Sequence, residues 1–307
     1  MKKDVALLMG GWSPEREVSL SSGRECAKAL RDRGYAVRVI DAARDLPALL
    51  RALEPRPEVI FNALHGEGGE DGTIQGVFEM LQIPYTHSGV RASALAMHKP
   101  SAKELFARAG LPVAEGLVAR REDLRRRDPL PAPFVVKPTN QGSTVGVRIV
   151  RAGDNSWREE LESWRFGEDI LVERYIPGRE LTVTVMGDRA LGVCEIIPRS
   201  SSFYDYEAKY APGGSDHLVP APLPPKDYEF ALDVALKAHQ VLGCRGVSRA
   251  DFRYDDDAPP GARLYLLEIN TQPGMTPTSL VPDIARHAGI AFDELVAWMV
   301  ESAACDG

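Results

Sequence analysis

The sequence predicts a mixed fold, with a parallel α/β domain at the N-terminus followed by α+β regions built on antiparallel strands. In residues 1–95 short apolar strands alternate with helical patterns, whereas later apolar runs come in pairs joined by turn residues. The length of 307 residues suits two or three domains, at roughly 100 to 200 residues each. We therefore expect three domains, at residues 1–95, 96–178 and 179–307.

The first domain begins with a strand, VALLM, that ends at Gly10 and Gly11, and a helical pattern then continues to Gly34. The unit repeats in the strands YAVRVID and EVIFNAL and in the helices DLPALLRALE and TIQGVFEMLQ. Strands and helices alternating at this spacing indicate a parallel sheet covered on both faces. Ligands of such sheets bind beyond the carboxyl ends of the strands, which here lead into residues 10–17 and 65–72.

The second domain opens with a helix from Pro100 that ends before Gly110. The strands FVVKP and VRIV follow, joined by the glycine-rich loop TNQGSTVG, and DILVERY is a further strand. In the third domain LTVTVMG and ALGVCEI form one predicted hairpin, and RADFRY and LYLLEIN form another. Residues 198–225 between them are rich in Ser, Gly and Pro but carry four aromatic residues, which favours a lid that docks over a site.

Composition excludes several classes of protein. The net charge of −7 offers no electrostatic footprint for nucleic acid or anionic lipid, so we expect neither partner. The four cysteines lie far apart without a CxxC motif, which favours a reduced, cytoplasmic protein. No apolar run approaches the roughly 18 residues of a membrane span.

The hairpin of RADFRY and LYLLEIN carries the most specific polar pattern. Arg249 and Asp251 are two residues apart, as are Glu268 and Asn270, and side chains two apart share one face of a strand. Symmetric pairing about the intervening prolines would place Asp251 opposite Glu268. Such oxygen ligands suit magnesium, whereas a salt bridge from Arg249 to one of the acids is an equally good interpretation from the hairpin alone.

Lys137 stands directly before the glycine-rich loop, a combination that suits a phosphate chain, although a surface lysine beside a flexible loop is the simpler alternative. The loop lacks the GxxxxGK[ST] pattern of P-loop NTPases. Glu173 and Glu180 could accept hydrogen bonds from a ribose or an adenine amine, or could be exposed strand-end acids.

Two residues of the first domain stand beyond strand ends. Glu15 could bind a ligand or simply complement a helix dipole, and His65 could equally be a hydrogen-bonded histidine at the sheet edge. The segment HGEGGEDG is not a dinucleotide fingerprint, because Asp71 occupies the third glycine position. The GxSxG and HExxH motifs are also missing from the sequence.

Seven ordered segments resemble the D-alanine–D-alanine ligases of the ATP-grasp superfamily over nearly the entire chain: GGWSPEREVSL, ALHGEGGEDGTIQG, SGVRASALAMHK, VVKPTNQGSTVG, FYDYEAKY, SRADF and LEINTQPGMTPTSLVP. The resemblance implies an ATP-grasp fold in which the central and C-terminal domains clamp the nucleotide. It also implies ATP-dependent joining of two D-alanines through an acyl phosphate, a step of peptidoglycan synthesis, and hence of cell wall biogenesis and cell shape.

The resemblance also implies roles for individual residues. The nucleotide-binding residues would be Lys99 and Lys137 on the phosphates, Glu173, Arg174 and Ile176 around adenine, Glu180 on the ribose, and Lys209 on the transferred phosphate. The residues around the first D-alanine would be Glu15 on its ammonium, supported by Ser143, Tyr210 and His65. The remaining residues would be Ser279 and Leu280 on the second carboxylate, Arg249 and the Gly274 amide on the oxyanion, and Asp251, Glu268 and Asn270 on two magnesium ions, with manganese as an alternative.

The sequence departs from the family pattern at a few positions. His98 stands where the family usually has an acid, Arg174 replaces a common lysine, and Thr144 replaces a frequent serine. Tyr210 is associated with dipeptide formation rather than the use of D-lactate. The alternatives are another ATP-grasp carboxylate–amine ligase or a nucleotide-binding module without turnover, and a homodimer is one option for the assembly.

Overall fold

The computed structural model describes residues 2–142, 144–199, 214–276 and 278–306. Three sheets organise these residues, with strand orders β2-β1-β3, β4-β7-β5-β6 and β10-β9-β8-β11-β12. The first sheet is parallel and the other two are antiparallel, as the sequence predicts. Within the described ranges, no helix combines the length and apolarity needed to cross a bilayer.

In the parallel sheet β1 and β3 are buried on both faces, whereas the edge strand β2 also carries the polar residues Arg38 and Asp41. Its strands are β1 (Asp4–Gly10), β2 (Ala36–Ala42) and β3 (Val59–Asn62). Its helices are α1 (Arg16–Asp32), α2 (Leu46–Ala52), α3 (Thr73–Leu81) and α4 (Val90–Met97). The carboxyl ends of β1 and β3 lie side by side, because β3 pairs directly with β1, so the loops that follow them meet at one edge.

The four-stranded sheet carries the glycine-rich loop between β5 and β6. Its strands are β4 (Gly116–Arg120), β5 (Phe134–Pro138), β6 (Arg148–Val150) and β7 (Asp169–Arg174). The helices of this stretch are α5 (Lys99–Arg108), α6 (Arg121–Leu124) and α7 (Trp157–Glu160). Phe134 and Trp157 meet edge-to-face with ring centroids 5.5 Å apart, which anchors α7 on the sheet.

The five-stranded sheet contains both predicted hairpins. Its strands are β8 (Arg179–Met186), β9 (Arg189–Pro198), β10 (Ser215–Leu218), β11 (Val247–Tyr254) and β12 (Leu264–Asn270). The helices are α8 (Pro225–Leu242), α9 (Leu280–His287) and α10 (Phe292–Glu301). Buried alanines and valines along one face of α8 pack on this sheet, which fixes the strands that carry the polar pattern.

The apolar cores cross the predicted domain boundaries. Phe106 of α5 shares a core with Leu266 of β12 and Ala235 of α8, so α5 packs on the five-stranded sheet. Val296 of α10 shares a core with Leu30 of α1, which joins the end of the chain to the first domain. The boundaries after residues 95 and 178 remain predictions, and the shared cores hold the three regions around one site.

Candidate active site

A cavity of about 510 Å³ lies where the edge of the parallel sheet meets β12 and the start of α9. The predicted site residues that line it are Glu15, His65, Lys99, Arg249, Glu268, Asn270, Gly274, Ser279 and Leu280. These residues come from all three regions of the chain. The fold therefore gathers them around one space large enough for small substrates.

A second cleft, of about 100 Å³, lies between the four-stranded and five-stranded sheets. The predicted site residues that line it are Lys99, Lys137, Glu173, Arg174, Ile176, Glu180, Asp251 and Glu268. Lys99 and Glu268 line both spaces, so the cleft and the cavity share a wall. The residues that the resemblance assigns to the nucleotide thus adjoin those that it assigns to the amino acids.

The hairpin has the predicted register at its polar residues, and the register shifts by one residue at a bulge between Asp251 and Phe252. Asp251 lies opposite Glu268, and Arg249 lies opposite Asn270. Arg249 also donates two hydrogen bonds to Asp251, from Nε to Oδ1 at 2.8 Å and from Nη2 to Oδ2 at 2.7 Å. Thr182 donates to the same Asp251 Oδ1 at 2.7 Å. The salt bridge that the sequence left open is therefore present, and the carboxylate still faces the cleft.

Lys99 forms an ion pair with Glu268 across the wall between the two spaces. It is the first residue of α5, and its backbone N–H donates to the carbonyl of Thr139 at 2.9 Å. The Nδ1 of His98 accepts a hydrogen bond from the backbone N–H of Ser101 and so caps α5. His98 can thus accept the capping bond that an acid accepts at this position, which keeps Lys99 at the helix start.

Glu173 is buried between two lysines, Lys137 and Lys103, and forms an ion pair with each. Burial alone would raise the pKa of Glu173, but the two lysines outweigh it and hold this pKa below its ordinary value. Burial also lowers the pKa of Lys103 to about 8, although the neighbouring carboxylate opposes the change. Sequence reasoning missed Lys103, whose only signal is its position one helical turn after Lys99.

The hairpin acids and Asn270 form a set of hard oxygen donors that fits magnesium. Among the described residues, no group of three or more histidine, cysteine or acidic side chains could hold a metal, so the set is limited to two carboxylates and one amide. Protein sites of this kind complete the coordination of magnesium with substrate phosphates and water. The cleft beside Asp251 and Glu268 is where a phosphate chain would supply those oxygens.

Glu15 and His65 are held together by Ser13. The hydroxyl of Ser13 donates to the carbonyl of His65 at 2.7 Å and accepts from the backbone N–H of Glu15 at 3.2 Å. Glu15 immediately precedes α1, while the Nδ1 of His65 lies 4.0 Å from Oε2 of the partly buried Glu70. A carboxylate at this corner of the cavity suits an ammonium group.

Ser279 and Leu280 form the start of α9, where backbone N–H groups favour a carboxylate. The Oγ of Ser279 accepts from the backbone N–H of Thr276 at 3.0 Å and lies 2.7 Å from the hydroxyl of the same residue. A Cβ added to Gly274 would lie 3.1 Å from this Oγ, so the glycine lets the loop pass close to the helix. Three further predicted site residues, Ser143, Lys209 and Tyr210, lie outside the described residues.

Comparisons with known proteins agree on one family. The family model described as D-ala D-ala ligase C-terminus matches residues 105–301, and the model of the N-terminus matches residues 48–88. D-alanine–D-alanine ligase from Paramagnetospirillum magneticum is 60% identical over 309 aligned residues that cover 100% of both chains. The ligase from Chelativorans sp. is 59% identical over 306 residues, with 99% of each chain covered.

Solved structures give the same result. D-alanine–D-alanine ligase from Bacillus anthracis complexed with ATP superposes with a TM-score of 0.80 at 29% identity, covering 98% of this chain and 97% of that chain. Another structure of the ligase from this organism has a TM-score of 0.83 at 30% identity, with coverages of 97% and 96%. The predicted ATP-grasp fold is confirmed, and the chain belongs to the D-alanine–D-alanine ligase family.

Proposed function

We propose that this chain joins two D-alanine molecules into D-alanyl-D-alanine and converts ATP to ADP and phosphate. One observation carries the proposal: the cavity that holds Glu15 and Ser279 shares Lys99 and Glu268 with the cleft between the sheets. Amino-acid and nucleotide sites would then meet at one wall. The proposed role is peptidoglycan precursor synthesis in the cytoplasm, with a homodimer as one option for the assembly.

The first chemical step has to overcome the resistance of a carboxylate to attack by an amine. Transfer of the ATP γ-phosphoryl group to the carboxylate of the first D-alanine forms an acyl phosphate with a good leaving group. Glu15 would bind the ammonium of this D-alanine, with His65 beside it and Ser143 and Tyr210 as proposed supports. Lys99 and Lys137 would neutralise charge on the phosphates during transfer.

The second step is attack by the amine of the second D-alanine on the acyl carbon, which expels phosphate. The start of α9 at Ser279 and Leu280 would bind the carboxylate of this D-alanine. Arg249 and the backbone N–H of Gly274 would then donate hydrogen bonds to the oxyanion. Donors fixed in place before the reaction lower its barrier because they need little reorganisation. Lys209 would hold the departing phosphate, and the lid predicted from the sequence would exclude water when closed.

Asp251, Glu268 and Asn270 would hold two magnesium ions, or manganese in their place, and these ions would neutralise charge on the transferring phosphoryl group. Lys99 and Arg249 hold the two carboxylates in the free protein, so both cations must give up these partners when the acids accept a metal. A cation released in this way is already next to the substrate. The two ion pairs would thus neutralise both the carboxylates and the cations until the metal and the substrates bind.

The remaining nucleotide residues line the cleft farther from the cavity. Arg174 and Ile176 would contact adenine together with Glu173, and Glu180 would accept from the ribose. The Oε2 of Glu180 lies 3.6 Å from Nη1 of Arg253 on the neighbouring strand, so the carboxylate has a cation beside it. An ionised carboxylate accepts hydrogen bonds from both hydroxyls of a ribose without needing a proton of its own.

Phosphate release from ATP, measured with a panel of D- and L-amino acids, tests the proposal. We expect D-alanine as the sole amino acid to support release, with D-alanyl-D-alanine detected by mass spectrometry, and L-alanine at the same concentration to serve as the matched control. Release that requires a different carboxylate or amine would indicate another ATP-grasp ligase. A chain that binds ATP but releases no phosphate with any amino acid would be a nucleotide-binding module.

A further inference from the structure

Two buried amide side chains, Asn62 and Gln272, meet behind the cavity although 210 residues separate them in the sequence. The Nδ2 of Asn62 donates to the Oε1 of Gln272 at 2.9 Å. The exposed fraction of Asn62 is 0% and that of Gln272 is 1%, so water does not reach either amide. Burying an amide costs free energy unless its polar atoms have hydrogen-bond partners, and the bond between these two side chains offsets part of that cost.

The remaining bonds of this amide pair fasten the loop that contains His65. The Oδ1 of Asn62 accepts from the backbone N–H of Leu64 at 3.2 Å, and its Nδ2 also donates to the carbonyl of Gly69 at 3.0 Å. The Nε2 of Gln272 donates to the carbonyl of Leu64. Both ends of the loop at residues 64–69 are therefore held by the two amides.

The same pair reaches the other side of the cavity through the backbone of Gln272. Its N–H donates to the Oδ1 of Asn270 at 2.8 Å. The segment 270–276 also contains Gly274, and the backbone N–H of Met275 in this segment donates to the Oγ of Ser22 of α1 at 3.1 Å. The loop of the first-substrate site and the segment of the proposed metal and oxyanion groups are thus joined by direct hydrogen bonds.

We propose that Gln272, together with Asn62, is a positioning residue that sets the distance between the first D-alanine subsite and the segment 270–276. The inference rests on the proposed function, because the roles of His65, Asn270 and Gly274 are assigned there. Neither amide lines the cavity or the cleft, so both act through the groups that they hold. Small misplacements of reacting groups are expensive in rate, which gives such a contact a kinetic role.

The test replaces each amide by an apolar side chain of similar size, in Gln272→Met and Asn62→Leu. We expect Gln272→Met to lower kcat by about 10- to 100-fold and to raise the Michaelis constant for the first D-alanine. The Michaelis constant for ATP should stay unchanged, because the nucleotide cleft makes no contact with Gln272. A purely structural role would lower the midpoint of thermal unfolding without this split between substrates.

The double variant sharpens the test. Because both amides hold the same loop, the loss of kcat/KM in Asn62→Leu/Gln272→Met should be clearly smaller than the sum of the two single losses, when each is expressed as a free energy. The matched control is Tyr85→Phe, which removes a 2.7 Å hydrogen bond to Glu79 in the same region but away from the cavity. We expect this control to keep wild-type kinetics.

Hydrogen exchange gives a readout that does not depend on activity. In Gln272→Met, backbone amides of residues 64–70 and of 271–276 should exchange faster than in wild type, while the Tyr85→Phe control leaves both segments unchanged. This measurement tests the coupling even if the wild-type chain proves inactive on D-alanine, so failure of the proposed function and failure of the inference are distinguishable.

If Gln272→Met does not fold, the shorter amide of Gln272→Asn should produce the same pattern more weakly. Unchanged exchange in both segments, unchanged D-alanine kinetics in a folded variant, or an equal rise in the ATP constant would overturn the inference.

Discussion

Lys103 and Lys137 hold opposite oxygens of a single carboxylate, that of Glu173. The exposed fraction of Glu173 is only 2%, and that of each lysine is 8%. A buried carboxylate that loses its only counter-ion is strongly destabilised. If Lys137 turns towards a phosphate, as proposed, Lys103 would stay behind to neutralise Glu173. We therefore propose that Lys103 supports the nucleotide site without touching the nucleotide.

Replacing this second counter-ion should weaken ATP binding. In Lys103→Met, Lys137 is the one cation among the described residues that still pairs with Glu173, so we expect a loss of about 1.5–3 kcal/mol in ATP binding, the range for a hydrogen bond to a charged group. This corresponds to about a 10- to 100-fold rise in the dissociation constant, measurable by titration calorimetry. The matched control is Arg108→Met, which removes an exposed cation from the same helix. An ATP affinity equal to that of wild type would show that Lys137 does not need Lys103.

Arg249 offers a test of oxyanion stabilisation. The Arg249→Ala variant should lose about 10²- to 10³-fold in kcat, the effect of removing one oxyanion donor. Its Michaelis constant for ATP should change little. Because Arg249 also pairs with Asp251, the variant should unfold at a lower temperature as well, and saturating magnesium should restore part of this stability.

Arg249→Lys provides the control for charge alone. A lysine keeps the positive charge but lacks the planar fork that makes two bonds to Asp251. We expect it to recover stability more fully than turnover. If Arg249→Ala has the kcat of wild type under saturating substrates, Arg249 does not stabilise the oxyanion.

The metal requirement is tested by chelation and by Glu268→Gln. Excess EDTA should abolish phosphate release, and added Mg²⁺ or Mn²⁺ should restore it. In Glu268→Gln the Mg²⁺ concentration for half-maximal rate should rise at least about 10-fold, the loss typical of even an outer-shell partner. Glu104→Gln, at an exposed acid of α5, is the control and should behave as wild type. Full activity in EDTA would exclude the proposed metal site.

The hairpin shows what the sequence could predict. Two residues of separation place side chains on one strand face, and symmetric pairing about the prolines correctly puts Asp251 opposite Glu268. The long connection at residues 255–263 and the bulge between Asp251 and Phe252 are features that these local rules do not predict. The same holds for the loops after β1 and β3, because parallel strands end at a common edge. Strand periodicity and the common edge of parallel strands are enough to predict which of these side chains lie close together.

Lys103 and Gln272 show what the sequence could not predict. The role of Lys103 depends on α5 bringing this side chain to Glu173 of β7, and a lysine in a helix usually lies in solvent. Gln272 finds Asn62 only after β3 and the segment following β12 have been brought together. Both roles arise from contacts between distant parts of the chain, for which neither spacing nor composition provides a signal.

His87 provides a prediction about stability that is independent of the catalytic roles. It is buried, and burial lowers its pKa to about 3, an effect that the nearby Arg245 reinforces and that a bond to the backbone of Val247 opposes. Between about pH 3 and 6.5 the unfolded chain binds a proton at this histidine and the folded chain does not. The free energy of unfolding should therefore decrease as the pH falls below about 6.5.

The His87→Asn variant isolates this contribution. Asparagine tolerates the left-handed backbone at this position, where φ is 68°, and it does not titrate in this range. Denaturant titrations from pH 7 to pH 4 should show a dependence on pH that is shallower than in wild type by up to about 1.4 kcal/mol per pH unit. The control is His287→Asn, at an exposed histidine, and it should keep the wild-type slope. Burial lowers the pKa of His239 to about 4, so this histidine should leave some dependence on pH in both variants. Equal slopes for His87→Asn and wild type would mean that His87 takes up its proton without unfolding.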